Sequence, residues 1–329
     1  MNEFKSPLIS SGVSRFDAFD FGVPVLPPAL LALRNTLQAQ LSASLARLPP
    51  AMRDEAHSII AVYSGPSQAF FGLFYQPVWS FLHWVIADAA EPLPQAIVDD
   101  ACTAQALALF LHLWDDHLCD GQLPTTQLSL QVRTDAWAAY LAAASRLALQ
   151  VGAPQAEVDA HVSTYLSAIH MAESIDNLDD FCARFERQIA IWTLVPRLLG
   201  RALGNPQAGE ELAAVLAAFC KAWRLMDDLQ DVESDVLAGV ESAAWQVLDP
   251  TGRAAWAECH RLSKPLGQLH AQAWALLLQQ LDDGGAIARL LALSSGWLES
   301  AAALAETKQW PQLAAEILAH RPFTIDGPP

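Results

Sequence analysis

Positive charge is scarce in this chain. Its 329 residues hold 19 Lys and Arg against 36 Asp and Glu, a formal net charge of −17. Nucleic-acid binding needs a basic footprint, so nucleic acid is excluded as a partner. The shortage is sharpest over 54–132, where neither Lys nor Arg occurs. Runs of β-branched residues are few and no convincing period-two alternation is found, which argues against a sheet-based fold. Cysteine is limited to Cys102, Cys119, Cys182, Cys220 and Cys259. Odd in number, widely spaced and set in apolar helical contexts, they read as buried free thiols rather than a disulfide framework or metal site. No basic stretch followed by an apolar run opens the chain, so no signal peptide is expected. The most apolar segments carry charge or proline within a bilayer-spanning length, and Thr103–Trp114 is too short to span. The expectation is a cytoplasmic protein without a transmembrane segment.

What the chain has instead is helix-forming apolar residue. Hydrophobic residues make up 53% of it, with Ala and Leu dominant, and both favour helix. The fold class expected is all-α: a single large helical bundle over 28–329, preceded by a polar arm over 1–27 that is free to be flexible. Pro28 opens a helix through Ala46 and Pro49–Pro50 ends it. Further helices are expected over 52–63, over 95–120 until Gly121, over 129–151, over 155–174, over 177–203 with Asn177 as cap and a bend at Pro196, and over 210–237. Two or three more follow to about His320. No repeat or long linker divides the chain, so one domain is expected.

Two acidic clusters stand out. The first reads Trp114-Asp115-Asp116-His117-Leu118-Cys119-Asp120. The second reads Asp227-Asp228-Leu229-Gln230-Asp231-Val232-Glu233-Ser234-Asp235. Each lies near the C-terminal end of an apolar helix, where the macrodipole already disfavours negative charge. Asp116 and Asp120 are four apart, and so are Asp227, Asp231 and Asp235, so each set shares a helix face. Two such faces meeting across a bundle present at least four carboxylates to one site. Hard oxygen donors with little His or Cys suit Mg²⁺, which keeps waters and bridges to substrate phosphates. The candidate metal ligands are Asp115, Asp116, Asp120, Asp227, Asp228, Asp231 and Asp235. Nearby cations that can reach a phosphate oxygen are Arg184, Arg187, Lys221 and Arg224. An aromatic run that includes Phe70, Phe74, Trp79 and Trp84 precedes the first cluster, and simple core packing is its commoner role. The Thr164, Tyr165 and His170 region holds no nucleophile–base set.

The second cluster resembles the second aspartate-rich motif of trans-polyprenyl diphosphate synthases, members of the class I isoprenoid synthases. The first cluster resembles their first motif, though its spacing is Asp-Asp-x-x-x-Asp. Leu130–Leu141 resembles the helix that follows the first motif. Leu178–Leu194 resembles the later helix that carries a substrate-facing Lys-Thr pair, here Arg187-Gln188. The resemblance covers roughly 65–250. It implies an isoprenoid synthase fold with a deep apolar central cavity capped by the two motifs. It further implies three Mg²⁺ ions on the diphosphate, Asp116, Asp227 and Arg224 in catalytic roles, and substrate contacts from Arg187, Arg184, Gln188, Lys221, Phe74 and Trp79. The substrate implied is farnesyl or geranylgeranyl diphosphate, and family analogy suggests a homodimer.

The departures bear on the reaction. Chain-elongating members carry a basic motif before the first aspartate cluster and paired arginines just after it, and these bind isopentenyl diphosphate. Here Ser64–Trp84 is aromatic, and Gln122-Leu123-Pro124-Thr125-Thr126 follows the cluster. A second diphosphate has no cationic cradle in the sequence. The leading expectation is a terpene synthase (cyclase) using one prenyl diphosphate. The alternative is a prenyltransferase, either a divergent polyprenyl synthase or one with a non-isoprenoid acceptor. A third reading is an inactive partner subunit, against which both intact acidic clusters count.

Overall fold

The computed structural model describes residues 16, 19–22, 24–64, 70–87, 89–170 and 175–324. Among these are fifteen α-helices and one antiparallel two-stranded ribbon. Helix α1 (Pro28–Ser44) begins on the Pro27-Pro28 pair and α2 (Pro50–Ser64) on Pro49-Pro50. Proline suits a first turn because the missing N–H had no helical partner there. For the same reason Pro77 starts a helix, α3 (Pro77–Ala87).

The central helix is α4 (Gln95–Cys119), ended by Gly121 in the left-handed region at φ 71°. By length and composition α4 could cross a membrane, but 67% of its apolar window is buried inside the protein. It is a core helix, packed against α1, α3, α8 (Ala190–Ala202) and α5 (Gln127–Gln150). A capping box between Thr126 and Ser129 fixes the start of α5. Helix α6 is Gln155–His170, and α7 (Leu178–Gln188) starts on the Asn177 side-chain cap.

Two of the expected helices are divided. The helix expected over 177–203 is divided at Gln188–Ala190, well before Pro196, which α8 absorbs. The helix expected over 210–237 is α9 (Pro206–Gln230) followed by α10 (Val232–Ala238), with Asp231 at the junction. The Asp231 amide still bonds the Asp227 carbonyl at 2.9 Å and the Asp235 amide the Asp231 carbonyl at 2.8 Å. The four-residue register of these carboxylates therefore survives the junction.

Helix α8 packs against both α4 and α9, and α14 (Ala286–Thr307) runs along α9. The C-terminal region holds five helices, α11 (Ala243–Gln246), α12 (Pro250–Ser263), α13 (Ala271–Asp283), α14 and α15 (Pro311–Ala319), because prolines and Gly284-Gly285 divide it more often than expected. Strand β1 (Phe19–Phe21) pairs with β2 (Pro322–Thr324). Phe16 and Phe21 are fully buried in the common core, and Gln230 donates to the Phe19 carbonyl at 2.7 Å. The described part of the N-terminal arm is thus docked on the bundle. Of the cysteines, Cys102, Cys182, Cys220 and Cys259 are buried free thiols, whereas Cys119 is exposed at the end of α4.

Candidate active site

The two acidic clusters sit where α4 and α9–α10 end, on either side of α8. In the first, Asp116 and Asp120 are exposed, while Asp115 is buried. Asp115 accepts two hydrogen bonds from Arg133 on α5, at 2.5 Å (Nε) and 3.1 Å (Nη2). Trp137 Nε1 at 3.4 Å and Tyr165 OH at 3.3 Å complete its surroundings. Asp115 therefore faces away from Asp116 and pins α4 to α5 and α6.

In the second cluster, Asp228 is buried and tied on two sides. It accepts from Arg224 at 2.9 Å and from the Ala243 amide at the start of α11 at 2.7 Å. Asp227 lies 3.7 Å from the same guanidinium. Burial opposes the charge of Arg224, but Asp228, Asp227, Asp116 and Asp235 outweigh it and hold the guanidinium more firmly protonated than usual. Phe181 and Phe185 of α7 flank it at 5.9 and 5.8 Å.

Asp116 acts on both Arg224 and Asp227, which places the α4 cluster across from the α9 cluster. Burial, with Asp231, Asp228 and Asp116 adding repulsion, pushes Asp227 up to about 7 against the pull of Arg224. Burial and Asp228 push Asp235 up to about 8. Ser242 pulls the other way, and among the described residues Asp235 Oδ2 is buried without a hydrogen-bond partner. Burial followed by Asp116 raises Asp120. Such raised carboxyls mark a place where anionic oxygens are held close without enough cation.

Those donors fit Mg²⁺ in kind, being hard oxygens, three of them with raised pKa values and one orphaned. Asp116 and Asp120 on one side and Asp227, Asp231 and Asp235 on the other are the candidate ligands. Asp115 and Asp228, also expected as ligands from sequence, are buried and each is held by an arginine. Among the described residues no three acidic, His or Cys side chains converge on one point. A cation here needs oxygens from a ligand to complete its shell.

The expected substrate contacts divide as well. Lys221, half-buried on α9, pairs with Glu186 of α7 at 3.2 Å and lies over the Trp297 ring of α14. Arg184 keeps a buried Nε without a partner among the described residues. Arg187 and Gln188 end α7, beside the break. Phe74 is buried against Trp192 at 6.0 Å, and Trp79 is buried in α3. Cys119 and His117 sit within the first cluster, and burial lowers His117.

One turn below the acids lies an aromatic layer. His112 is four residues before Asp116, Trp223 four before Asp227, and Trp192 four after Gln188. Trp192 and Trp223 stack at 5.9 Å and 13°, and His112 meets Trp192 at 4.7 Å. His112, Trp192, Trp223 and the Arg133–Asp115–Tyr165 network did not stand out in sequence. The signal available for His112 and Trp223 was their spacing of four from the acidic clusters; Trp192 had none.

No protein-family model and no curated protein matches the chain in sequence. Solved structures match it in fold. One is a decaprenyl diphosphate synthase from Rhodobacter capsulatus, at TM-score 0.65 and 14% identity over 89% of this chain and 97% of that one. Another is a geranylgeranyl pyrophosphate synthase from Lactobacillus brevis, at 0.63 and 13% over 88% and 96%. A heptaprenyl diphosphate synthase from Staphylococcus aureus follows, at 0.60 and 11% over 90% and 100%. The chain has the all-α class I isoprenoid synthase fold of the trans-polyprenyl diphosphate synthases.

Proposed function

We propose that this protein ionises an allylic prenyl diphosphate between α4 and α9–α10, with Mg²⁺ as the required cation. The observation that carries the reading is the placement of Asp116 across from Arg224 and Asp227, directly above an aromatic layer. Bound Mg²⁺ supplies Lewis-acid stabilisation of the departing diphosphate. Asp116, Asp120, Asp227, Asp231 and Asp235 would hold the cations, three in number by family resemblance. Arg224 is fixed by Asp228 as a permanent positive charge beside them. Arg184, with its orphaned Nε, and Arg187 are the further donors for diphosphate oxygens. Below, the faces of Trp192, Trp223 and Phe74 exclude water and stabilise positive charge on carbon.

The reaction proposed first is cyclisation of a single farnesyl or geranylgeranyl diphosphate. Its support is the missing second cradle: no Lys or Arg occurs over 54–132. The flanking cations are engaged as well. Arg53 donates to the carbonyls of Ala46 and Leu48, and Arg133 holds Asp115. A second reading, prenyl transfer, is favoured by the solved structures of like fold named above, which are prenyl diphosphate synthases.

The test is incubation with Mg²⁺ and each prenyl diphosphate alone, then with isopentenyl diphosphate added. Hydrocarbon or alcohol from the single substrate supports cyclisation. Turnover only with the second substrate supports transfer. Absence of diphosphate release in every mixture refutes both.

A further inference from the structure

The division between α7 and α8 leaves one carbonyl without its helical partner. The Trp192 amide, four residues on from Gln188, bonds the Ile189 carbonyl at 2.8 Å instead. The Gln188 carbonyl is met by His112 Nδ1 from α4 at 3.1 Å. A carbonyl only accepts, so Nδ1 carries the hydrogen. In the neutral ring the lone pair is then on Nε2, which bonds no described residue. The Trp192 ring at 4.7 Å and the Tyr165 ring at 6.2 Å hold the imidazole in place.

The other members of the aromatic layer, Trp192, Trp223 and Phe74, have no basic atom. His112 Nε2 is therefore the proton acceptor of that layer, one turn below Asp116. Burial keeps the ring neutral, reinforced by Arg224 and opposed by Asp116, Asp115 and the Gln188 carbonyl, with burial prevailing.

We infer that His112 is a catalytic base, taking through Nε2 the proton that the final carbocation must lose. The inference rests on the function proposed above and holds for cyclisation and transfer alike. The C–O bond breaks and its electron pair leaves with diphosphate. A C=C π pair, of the same chain in cyclisation or of the acceptor in transfer, forms the new C–C bond and moves the positive charge to its far carbon. A proton on the carbon next to that new cationic centre passes to Nε2, and the C–H electron pair becomes the new C=C bond. The imidazolium returns its proton to the diphosphate or to water as product leaves.

The experiment compares wild type with His112→Phe, which keeps an aromatic ring without the lone pair, and with His112→Asn. Farnesyl and geranylgeranyl diphosphate are supplied with Mg²⁺, with and without isopentenyl diphosphate, and diphosphate release is measured beside the products. The share of product that ends in proton loss is expected to fall about a hundredfold, the scale of general-base catalysis. Alcohol from water capture rises in its place, and diphosphate release falls much less. An unchanged product ratio in either folded variant overturns the inference. If wild type releases no diphosphate, the proposed function fails and the inference falls with it. A readout without turnover is ¹⁵N NMR of labelled histidine, which should show His112 neutral with hydrogen on Nδ1 at neutral pH. Hydrogen on Nε2, or an imidazolium at that pH, overturns the base role even if the enzyme is active.

Discussion

Replacing Arg133 by Met separates the carboxylates that serve the site from the one that serves the fold. Asp115 is 3% exposed, and its strongest partner is the two-bond contact with Arg133. Removing one member of a buried ion pair typically costs about 3–5 kcal/mol, because the other charge stays buried. Arg133 is 31% exposed, and Trp137 and Tyr165 still donate to Asp115, so about 2–3 kcal/mol is the appropriate loss. At an unfolding entropy of ~2.1 cal/mol/K per residue, the whole chain has about 0.7 kcal/mol/K, and the melting temperature should fall by about 3–4 °C. Adding Asp115→Leu to Arg133→Met replaces the pair with apolar groups of similar size and should recover most of that loss. Differential scanning fluorimetry on the four proteins gives the cycle.

Conservative variants of the two adjacent aspartates have a functional signature. Asp115→Asn should cost about 10–100-fold in turnover, as expected for a group that orients a neighbouring ligand. Asp116→Asn should cost more, while leaving the melt of the metal-free protein unchanged or raised. The reasoning is refuted if Arg133→Met melts with wild type and Asp115→Asn is as inactive as Asp116→Asn. Asp115 would then be an exposed ligand and the buried pair an error.

Three further outcomes are expected. Diphosphate release should stop in EDTA and return with Mg²⁺ or Mn²⁺, and persistent release in chelator would remove the central role of the carboxylates. The raised carboxyls, Asp227 at about 7 and Asp235 at about 8, bind protons in the folded state that the unfolded chain has already lost. Their contribution is therefore fully present below about pH 4 and lost as pH rises through 7–8, so the metal-free melting temperature should drop across that window and Mg²⁺ should flatten the drop. Glu316, raised to about 7 by burial against the bonds from Ser80 and Trp84, adds to the slope, and Glu316→Gln should reduce it without changing the Mg²⁺ effect. Isopentenyl diphosphate should go unused at micromolar concentration, since each missing charge-assisted contact forfeits about 1.5–3 kcal/mol; a product five carbons longer would show that its cradle has been misplaced.

The helical class was legible because composition and period agree over most of the chain. The acidic clusters were legible because carboxylates at the C-terminal end of an apolar helix oppose the macrodipole. Which carboxylate faces which way was not. Asp115 and Asp116 are adjacent, so a helix turns them about 100° apart, and only the α5 partner decides which is buried. Arg133 lies 18 positions on from Asp115 and Ala243 lies 15 on from Asp228. Pairings at that separation leave no periodic trace. The division after Gln188 was hidden by a stronger local signal, because Pro196 marks a helix breaker that the packed core overrides.

That division also connects the fold to the chemistry. A continuous helix would have satisfied the Gln188 carbonyl internally and left His112 with no fixed tautomer. It would also have placed Arg187 and Trp192 in a single helical register. Divided, the segment ends α7 with Arg187 beside the acids and restarts α8 with Trp192 in the layer below. The two layers have opposite demands. Above, repelling carboxylates and one held guanidinium are suited to a polyanion brought with cations. Below, stacked indoles offer a dry surface for a carbocation. A prenyl diphosphate has that same polarity along its length, anionic at one end and apolar at the other. The separation of layers by one helical turn, about 5.4 Å, matches the short distance between a departing diphosphate and the carbon it leaves charged.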